Sequence, residues 1–296
     1  TVLPRSVAGV DFATLDLQVT APAGLVAAGS GEVESTGPQG EGTAAHRLRQ
    51  DVPAYTHGLV LGDFARGSLP TAQGPVRTFS DTEGTATPFA RAILARAAHA
   101  WQALATELGP PPSPSLSLVQ VDSAGAALAL AGMAWLPAGT WTGEGGGTIH
   151  PADLSGLVVP HEVAHQWFPI AAAPSPLGGT WLAEGLAEVL AIRVVQGERG
   201  EAAARDLLRG LGLRWRLGVP VAQDAPLQSV AGLEQSVDRD RYFLSAYAKS
   251  AVALRAIESA AGTPAFLRAL AGLVADLAPS GGFFDSGMLR DRLQAA

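Results

Sequence analysis

The stretch that most narrows what this 296-residue chain can fold into is Pro160-His161-Glu162-Val163-Ala164-His165-Gln166-Trp167-Phe168. It spells H-E-x-x-H. Residues four apart on a helix share one face, so a helical reading sets both imidazoles over one point with Glu162 beside them. Val163, Ala164, Trp167 and Phe168 supply the other faces of that helix with packing surface. A catalytic zinc takes three protein ligands and keeps one position for water. Eighteen residues separate His165 from Glu184, which lies inside Thr180-Trp181-Leu182-Ala183-Glu184-Gly185-Leu186-Ala187-Glu188.

Roles follow from chemical need. One zinc ion with nitrogen, nitrogen and oxygen ligands is expected from His161, His165 and Glu184. Glu162, next to two ligands, is placed to take a proton from water and pass it to a leaving amine. The reaction class is metal-assisted hydrolysis of an amide. Glu188 lies one helical turn beyond Glu184. It either hydrogen-bonds a ligating imidazole or stands solvated on its helix. An oxyanion donor is also needed. Of Tyr55, Tyr242 and Tyr247, the last two lie on a helix after the metal ligands, and both are candidates.

Composition bounds the rest. Apolar residues make up 47% of the chain and mean hydropathy is +0.20, enough for a substantial core. A net charge of −7, with both signs mixed along the chain, argues against nucleic acid as a partner. Cysteine is absent, which excludes disulfides and thiolate metal sites. No apolar run reaches the length of a membrane span. There is neither an initiating Met nor a signal peptide, so the chain is expected to be processed or cut from something longer. Nineteen of the twenty basic residues are Arg; the single Lys is Lys249.

In chain order, residues 1–74 read as β. Leu15, Leu17 and Val19 alternate as in a half-buried strand. Further strands are expected near 25–28, 46–51 and 57–64, with the Gly-rich stretch 29–42 between the first two. His46 and His57 read as ordinary surface or sheet residues. Residues 76–79 form a short strand. Thr87-Pro88 then opens an amphipathic helix on Phe89, Ile93, Ala97, Trp101, Leu104 and Leu108, stopped by Gly109-Pro110, with His99 off the stripe. Strands are expected at 115–121 and within 126–135, followed by a loop over 137–147. The metal helix spans about 155–168, with Pro160 tolerable only near its start. Helices follow from about 182, over 201–216, 239–260 and 264–277, and at 285–294. The fold class is α+β: a partial N-terminal β-sheet domain (1–74), then a mainly helical domain with a small sheet (75–296).

Taken together, these residues resemble the gluzincin aminopeptidases, the family of aminopeptidase N and the leukotriene hydrolases. The resemblance rests on His-Glu-Val-Ala-His-Gln-Trp-Phe, the eighteen-residue gap, and Trp-Leu-Ala-Glu-Gly-Leu-Ala. Tyr247-Ala248-Lys249-Ser250 resembles that family's Tyr-x-Lys-Gly, whose Tyr stabilises the oxyanion, and this favours Tyr247 over Tyr242. Residues 116–122 and 131–135 resemble the family's strand and its substrate-binding edge strand; residues 9–31 resemble the closing strands of its N-terminal domain. The resemblance implies a thermolysin-like zinc peptidase domain, a peptide substrate, and substrate contacts at Gly132, Met133 and Ala134.

The departures matter as much. The family's Gly-x-Met-Glu-Asn carries a Glu that grips the peptide's amino terminus, and Ala134 stands in its place. Trp135 replaces the Asn and is expected to fill the amine pocket, with Glu144 a possible stand-in acid. Ser250 replaces a Gly, Phe243 a frequent Asp, and Ala183 an Asn. The family's C-terminal helical domain has no counterpart, and the β region covers about a third of its N-terminal domain. The missing half-domain is therefore expected either to stay bound as a partner, a separate N-terminal fragment of the same precursor, or not to be needed. The expected activity is an aminopeptidase-like zinc peptidase with altered amino-terminus recognition; the alternatives are an endopeptidase and a catalytically inactive zinc-binding interaction protein. A secreted or periplasmic location is expected over a cytoplasmic one.

Overall fold

A computed structural model describes residues 11–38, 42–81, 88–122, 127–142, 155–176, 179–220, 223–233 and 239–296. The N-terminal strands are β1 (Ala13–Pro22), β2 (Val26–Gly29), β3 (Glu32–Pro38), β4 (Thr43–Ala54) and β5 (Leu59–Gly62). They make a three-stranded antiparallel sheet in the order β1-β4-β3 and a β2-β5 pair. Alternation behaves as expected. Leu15, Leu17 and Val19 point inward opposite Gln50, Leu48 and His46, while Asp16 and Gln18 point outward opposite Arg49 and Arg47. One expectation needs correction: the Gly-rich stretch carries a full strand, β3, because Val33 and Ser35 alternate with Glu32 and Glu34 between its glycines. Of the two readings of His46, the structure takes the sheet residue, 3% exposed and within 2.9 Å of Ser35 Oγ through Nδ1.

The second sheet is mixed. It runs β6-β7-β8-β10-β9, with β6 (Ala65–Leu69), β7 (Val76–Ser80), β8 (Leu116–Val121), β9 (Leu128–Leu130) and β10 (Met133–Pro137). β6 starts before the boundary expected at 74/75 and pairs antiparallel with β7. The apolar stretch expected as one strand within 126–135 is two, β9 and β10, reversed at Gly132, whose φ of 65° suits glycine. β10 therefore lies inside the sheet between β8 and β9, and the edge expected of it belongs to β9.

α1 (Pro88–Leu108) connects parallel β7 and β8 and lays Ile93, Ala97, Trp101, Leu104 and Leu108 on the sheet. Phe89, expected on that stripe, is 47% exposed in the helix's first turn and does not join the core. His99 is exposed, as its position off the stripe requires. Part of the loop expected after β10 is a short helix, α2 (Ala138–Thr142). The helical layer comprises α3 (Val158–Ala164), α4 (Thr180–Arg199), α5 (Glu201–Gly218), α6 (Arg239–Phe243), α7 (Ser250–Ala261), α8 (Thr263–Leu277) and α9 (Ser286–Ala295). A short parallel pair, β11 (Ala173–Pro174) and β12 (Phe283–Phe284), ties the chain's end to the segment after α3.

One core joins α1, the helix face of the second sheet, α3, α4, α7 and α8. Trp167 is fully buried against Trp101, with ring centroids 5.4 Å apart, and its Nε1 donates to Gly109 O at 3.0 Å. That contact fixes the segment after α3 to the end of α1. Two such indoles bury apolar surface worth about 2–3 kcal/mol each. Among the described residues no single helix is long and apolar enough to cross a membrane.

Candidate metal centre

Two short-range decisions in the chain shape the site. Pro160 is tolerated because it is the third residue of α3, where backbone N–H groups have no intrahelical acceptor. Pro169 disfavours helical backbone at the residue before it. Phe168 accordingly sits at φ −133°, ψ 109°, and regular helix stops near His165 rather than running to Phe168 as expected. The break turns the Phe168 carbonyl back toward His165, 2.9 Å from Nδ1. A carbonyl only accepts, so the ring proton of His165 is on Nδ1.

His161 is held the same way by a different group. Its Nδ1 lies 2.8 Å from Glu188 Oε2, and both residues are buried. A carboxylate also only accepts, so this proton too sits on Nδ1. Of the two possibilities for Glu188, the structure takes the imidazole partner. Both Nε2 lone pairs are then turned to the same place. Each Nε2 is 3.4 Å from Glu184 Oε2, and the rings stand 4.5 Å apart at 87°. The three ligand atoms all lie within 4.8 Å of one another.

α4 brings Glu184 and Glu188 to α3 on one face, one turn apart. Gly185 lets α4 come close to α7: a Cβ there would stand 2.6 Å from Ser250 Cβ. Between α6 and α7 the helix widens over Leu244–Lys249. Such local widening turns a side chain out of regular phase and is frequent at functional sites. Tyr247 sits in it, its ring stacked on His161 at 5.5 Å and 25°. Tyr242 is instead buried against Val230 and Ala246, so Tyr247 is the one brought to the centre. Lys249 faces away and pairs with Asp224 at 2.8 Å and Ala225 O at 2.7 Å, which secures the widened turn to the segment before it.

The electrostatics show a site built for positive charge. Burial disfavours the His161 imidazolium, yet Glu184 and Glu188 together hold its pKa up to about 10. Burial would also raise the Glu184 carboxyl, but the charges of His165 and His161 bring it well below its ordinary range. Burial raises Glu162 above the usual carboxylate value, against the pull of both imidazoles. Burial and the Glu184 charge raise the Tyr247 hydroxyl well above its usual pKa. Glu162 Oε2 and Glu184 Oε2 are buried without hydrogen-bond partners. Two converging nitrogen lone pairs and orphaned carboxylate oxygens suit a divalent cation, which would replace the proton that otherwise has to sit among them.

No protein-family model and no curated protein sequence matches the chain. Solved structures do. The M1 zinc metallopeptidase from Deinococcus radiodurans aligns over 97% of this chain and 60% of its own, with a TM-score of 0.72 and 25% identity. A point mutant of a two-domain M1 zinc metallopeptidase bound to L-arginine aligns over 97% and 61%, with a TM-score of 0.73 and 25% identity. This chain has the fold of the M1 zinc metallopeptidases. It spans about three-fifths of the length of the structures it matches.

In that M1 fold, zinc is the ion that the donor set of His161, His165 and Glu184 fits. The strand expected to hold substrate is placed less simply. Ala134 is fully buried beside Leu118, a residue of the helix-side core, so it faces the layer that carries the metal centre. Met133 points the opposite way, into a cluster with Ala28, Phe79, Val119 and Leu130. Trp135 shares Met133's face and brings Nε1 within 3.1 Å of its sulfur. It therefore does not fill an amine pocket beside Ala134, because successive strand residues face opposite sides. Both backbone groups of Gly132 are engaged, its N–H by Gln166 Oε1 at 2.8 Å and its carbonyl by Ser117 N at 2.9 Å. Glu144 lies outside the described residues.

Gln166 is the buried polar residue beside the centre that sequence reasoning passed over. It is fully buried next to His165, and its Nε2 also donates to Leu130 O at 3.0 Å. One amide thus joins the metal helix to the β9–β10 turn. A lone amide among His165, Trp167 and Phe168 was the available signal.

Proposed function

We propose that this chain is a zinc-dependent peptidase, aminopeptidase-like but with altered recognition of the substrate's amino terminus. The observation that carries the reading is the convergence of His161 Nε2, His165 Nε2 and Glu184 Oε2, with Glu162 buried beside them and its Oε2 without a hydrogen-bond partner. Zinc bound there would lower the pKa of a water ligand to about 7 and polarise the scissile carbonyl. Glu162, its proton affinity raised by burial, is the residue that would take a proton from the attacking water and hand it to the leaving amine. Tyr247, kept protonated by burial and by Glu184, donates to the oxygen on which charge develops. Glu188 and the Phe168 carbonyl hold the two imidazoles in the ligating tautomer.

The amino-terminus side rests on Ala134. A methyl replaces the acid that the family resemblance leads one to expect, so the charge-assisted contact to a free amine is lost. A solved neighbour bound to the free amino acid L-arginine supports exopeptidase cleavage; the buried Ala134 favours endopeptidase action as the second reading. β1 leaves one edge unpaired among the described residues, which supports a separate N-terminal fragment as partner.

The test is Glu162→Gln assayed with a peptide library, free and N-acetylated. The variant should keep one zinc per chain and lose about 10²–10⁴ in turnover. Turnover equal to wild type would remove Glu162 from the mechanism. A wild-type protein with zinc but without turnover would point to the non-catalytic interaction protein.

A further inference from the structure

Behind the second sheet, on the face away from the metal centre, lies a cleft of about 640 Å³. Its floor is β6, β7 and β8, and its roof is the inner face of β3 and β4. Register puts Arg66, Ser68 and Arg77 on one face of the floor: Arg77 stands opposite Ser68, and Arg66 is the diagonal neighbour. Diagonal pairs on adjacent strands are about 7–8 Å apart, within reach of long side chains. Gly67 and Thr78, of opposite parity, face Leu94 on α1 instead. Arg66 and Arg77 therefore both line the cleft and do not face the helices.

Neither has a counter-charge. Among the described residues Arg66 and Arg77 have no ion-pair or hydrogen-bond partner, and no carboxylate lines the cleft. The acids of β3, Glu32 and Glu34, alternate to the outer face opposite Arg49 and Arg47. Two like charges at diagonal spacing repel unless something neutralises them. The roof adds an independent sign. His46, 3% exposed, lines the cleft, and its buried Nε2 has no hydrogen-bond partner, while Nδ1 meets Ser35 Oγ at 2.9 Å. In the tautomer with the ring proton on Nε2, Ser35 Oγ donates to Nδ1 and Nε2 presents a further donor without an acceptor.

We infer that this cleft is a binding site for a phosphate group, free or on a small phosphate monoester, held by Arg66 and Arg77 with Ser68 and His46 Nε2. Two guanidinium groups together with Ser68 and His46 Nε2 offer more donors than the roughly four acceptor sites of one carboxylate, which favours a tetrahedral dianion over a single carboxylate. The site is separate from the metal centre and does not depend on the peptidase reading.

Inorganic phosphate titrated calorimetrically into the full zinc-loaded chain, at ionic strength matched with chloride, tests it. Binding should be seen for wild type and weakened about tenfold or more in Arg66→Gln and in Arg77→Gln. Arg66 is exposed, so its variant folds even if the half-buried Arg77 proves sensitive. Arg77→Lys should recover only part of the affinity, because an ammonium lacks the planar fork. Absence of binding to wild type overturns the inference. So does phosphate binding that survives in both Gln variants, which would place it at the metal. Succinate binding as tightly as phosphate would overturn the tetrahedral assignment.

Discussion

The metal centre and the β9–β10 turn face each other across Gln166, and they are finished to different degrees. At the centre each imidazole has its Nδ1 proton committed, one to Glu188 and one to the Phe168 carbonyl, and both Nε2 atoms converge on Glu184. At the turn the residue that faces the centre is Ala134, a methyl without charge or polar atom. The backbone of Gly132 is spent on Gln166 and Ser117. On the proposed reading, water activation and amine recognition are separable: the first would need the fixed constellation, whereas the second would hang on one strand position that is a methyl here while the three converging side chains stay in place.

Breaking the finished side should cost most. Tyr247→Phe keeps the ring that stacks on His161 and removes only the hydroxyl. Turnover should fall about 10²–10³-fold, with a much smaller change in KM, since the lost contact is strongest in the transition state. Steady-state kinetics on one good peptide checks this. A loss confined to KM would assign Tyr247 to substrate binding instead.

The same contrast marks what was legible in the sequence. The ligands and Glu162 were, because H-E-x-x-H has one simple helical meaning and Glu184 and Glu188 repeat at helical spacing. The hold on His165 was not. It depends on Pro169 breaking the helix and redirecting the Phe168 carbonyl, a consequence of backbone geometry rather than of residue spacing. β3 was hidden by its glycines, although Glu32-Val33-Glu34-Ser35 alternates within them. Trp135 was readable and was misplaced: once 133–135 is a strand, Ala134 and Trp135 cannot serve one pocket. The exposure of Phe89 and the joint at Gln166 depend on which element ends where, and periodicity carries no such information.

A milder break on the finished side is Glu188→Gln. The amide still fits, but it no longer supports His161 with a charge. Zinc affinity should fall about 10–100-fold while the fold persists. Competition with a chelator of known affinity measures it. Unchanged affinity would mean that the Glu188 contact orients nothing that matters to the metal.

On the empty side the expected change is a gain. Ala134→Glu restores an acid to the strand position that faces the centre. The preference for free-amine over N-acetylated peptides should rise about tenfold, the value of a charge-assisted hydrogen bond. Since Ala134 is fully buried, the variant should also be less stable alone and regain stability with a free-amine ligand. An unchanged preference would show that residue 134 meets no amine, and would leave endopeptidase action as the better reading.

The smallest effect on chemistry should come from the joint itself. Gln166→Leu has nearly the same volume but leaves Gly132 N–H without its acceptor and takes one donor from Leu130 O. Stability should drop by about 1–3 kcal/mol per orphaned group, less whatever the turn recovers by relaxing. The ligands are on α3 and α4, which other contacts hold, so zinc content should be normal. If Gln166 sets the distance between the strand and the centre, KM should rise several-fold and kcat change little. Equal losses in kcat and KM would instead mean that the turn and the centre move as one body. The two regions would then be separable in their chemistry but not in their mechanics.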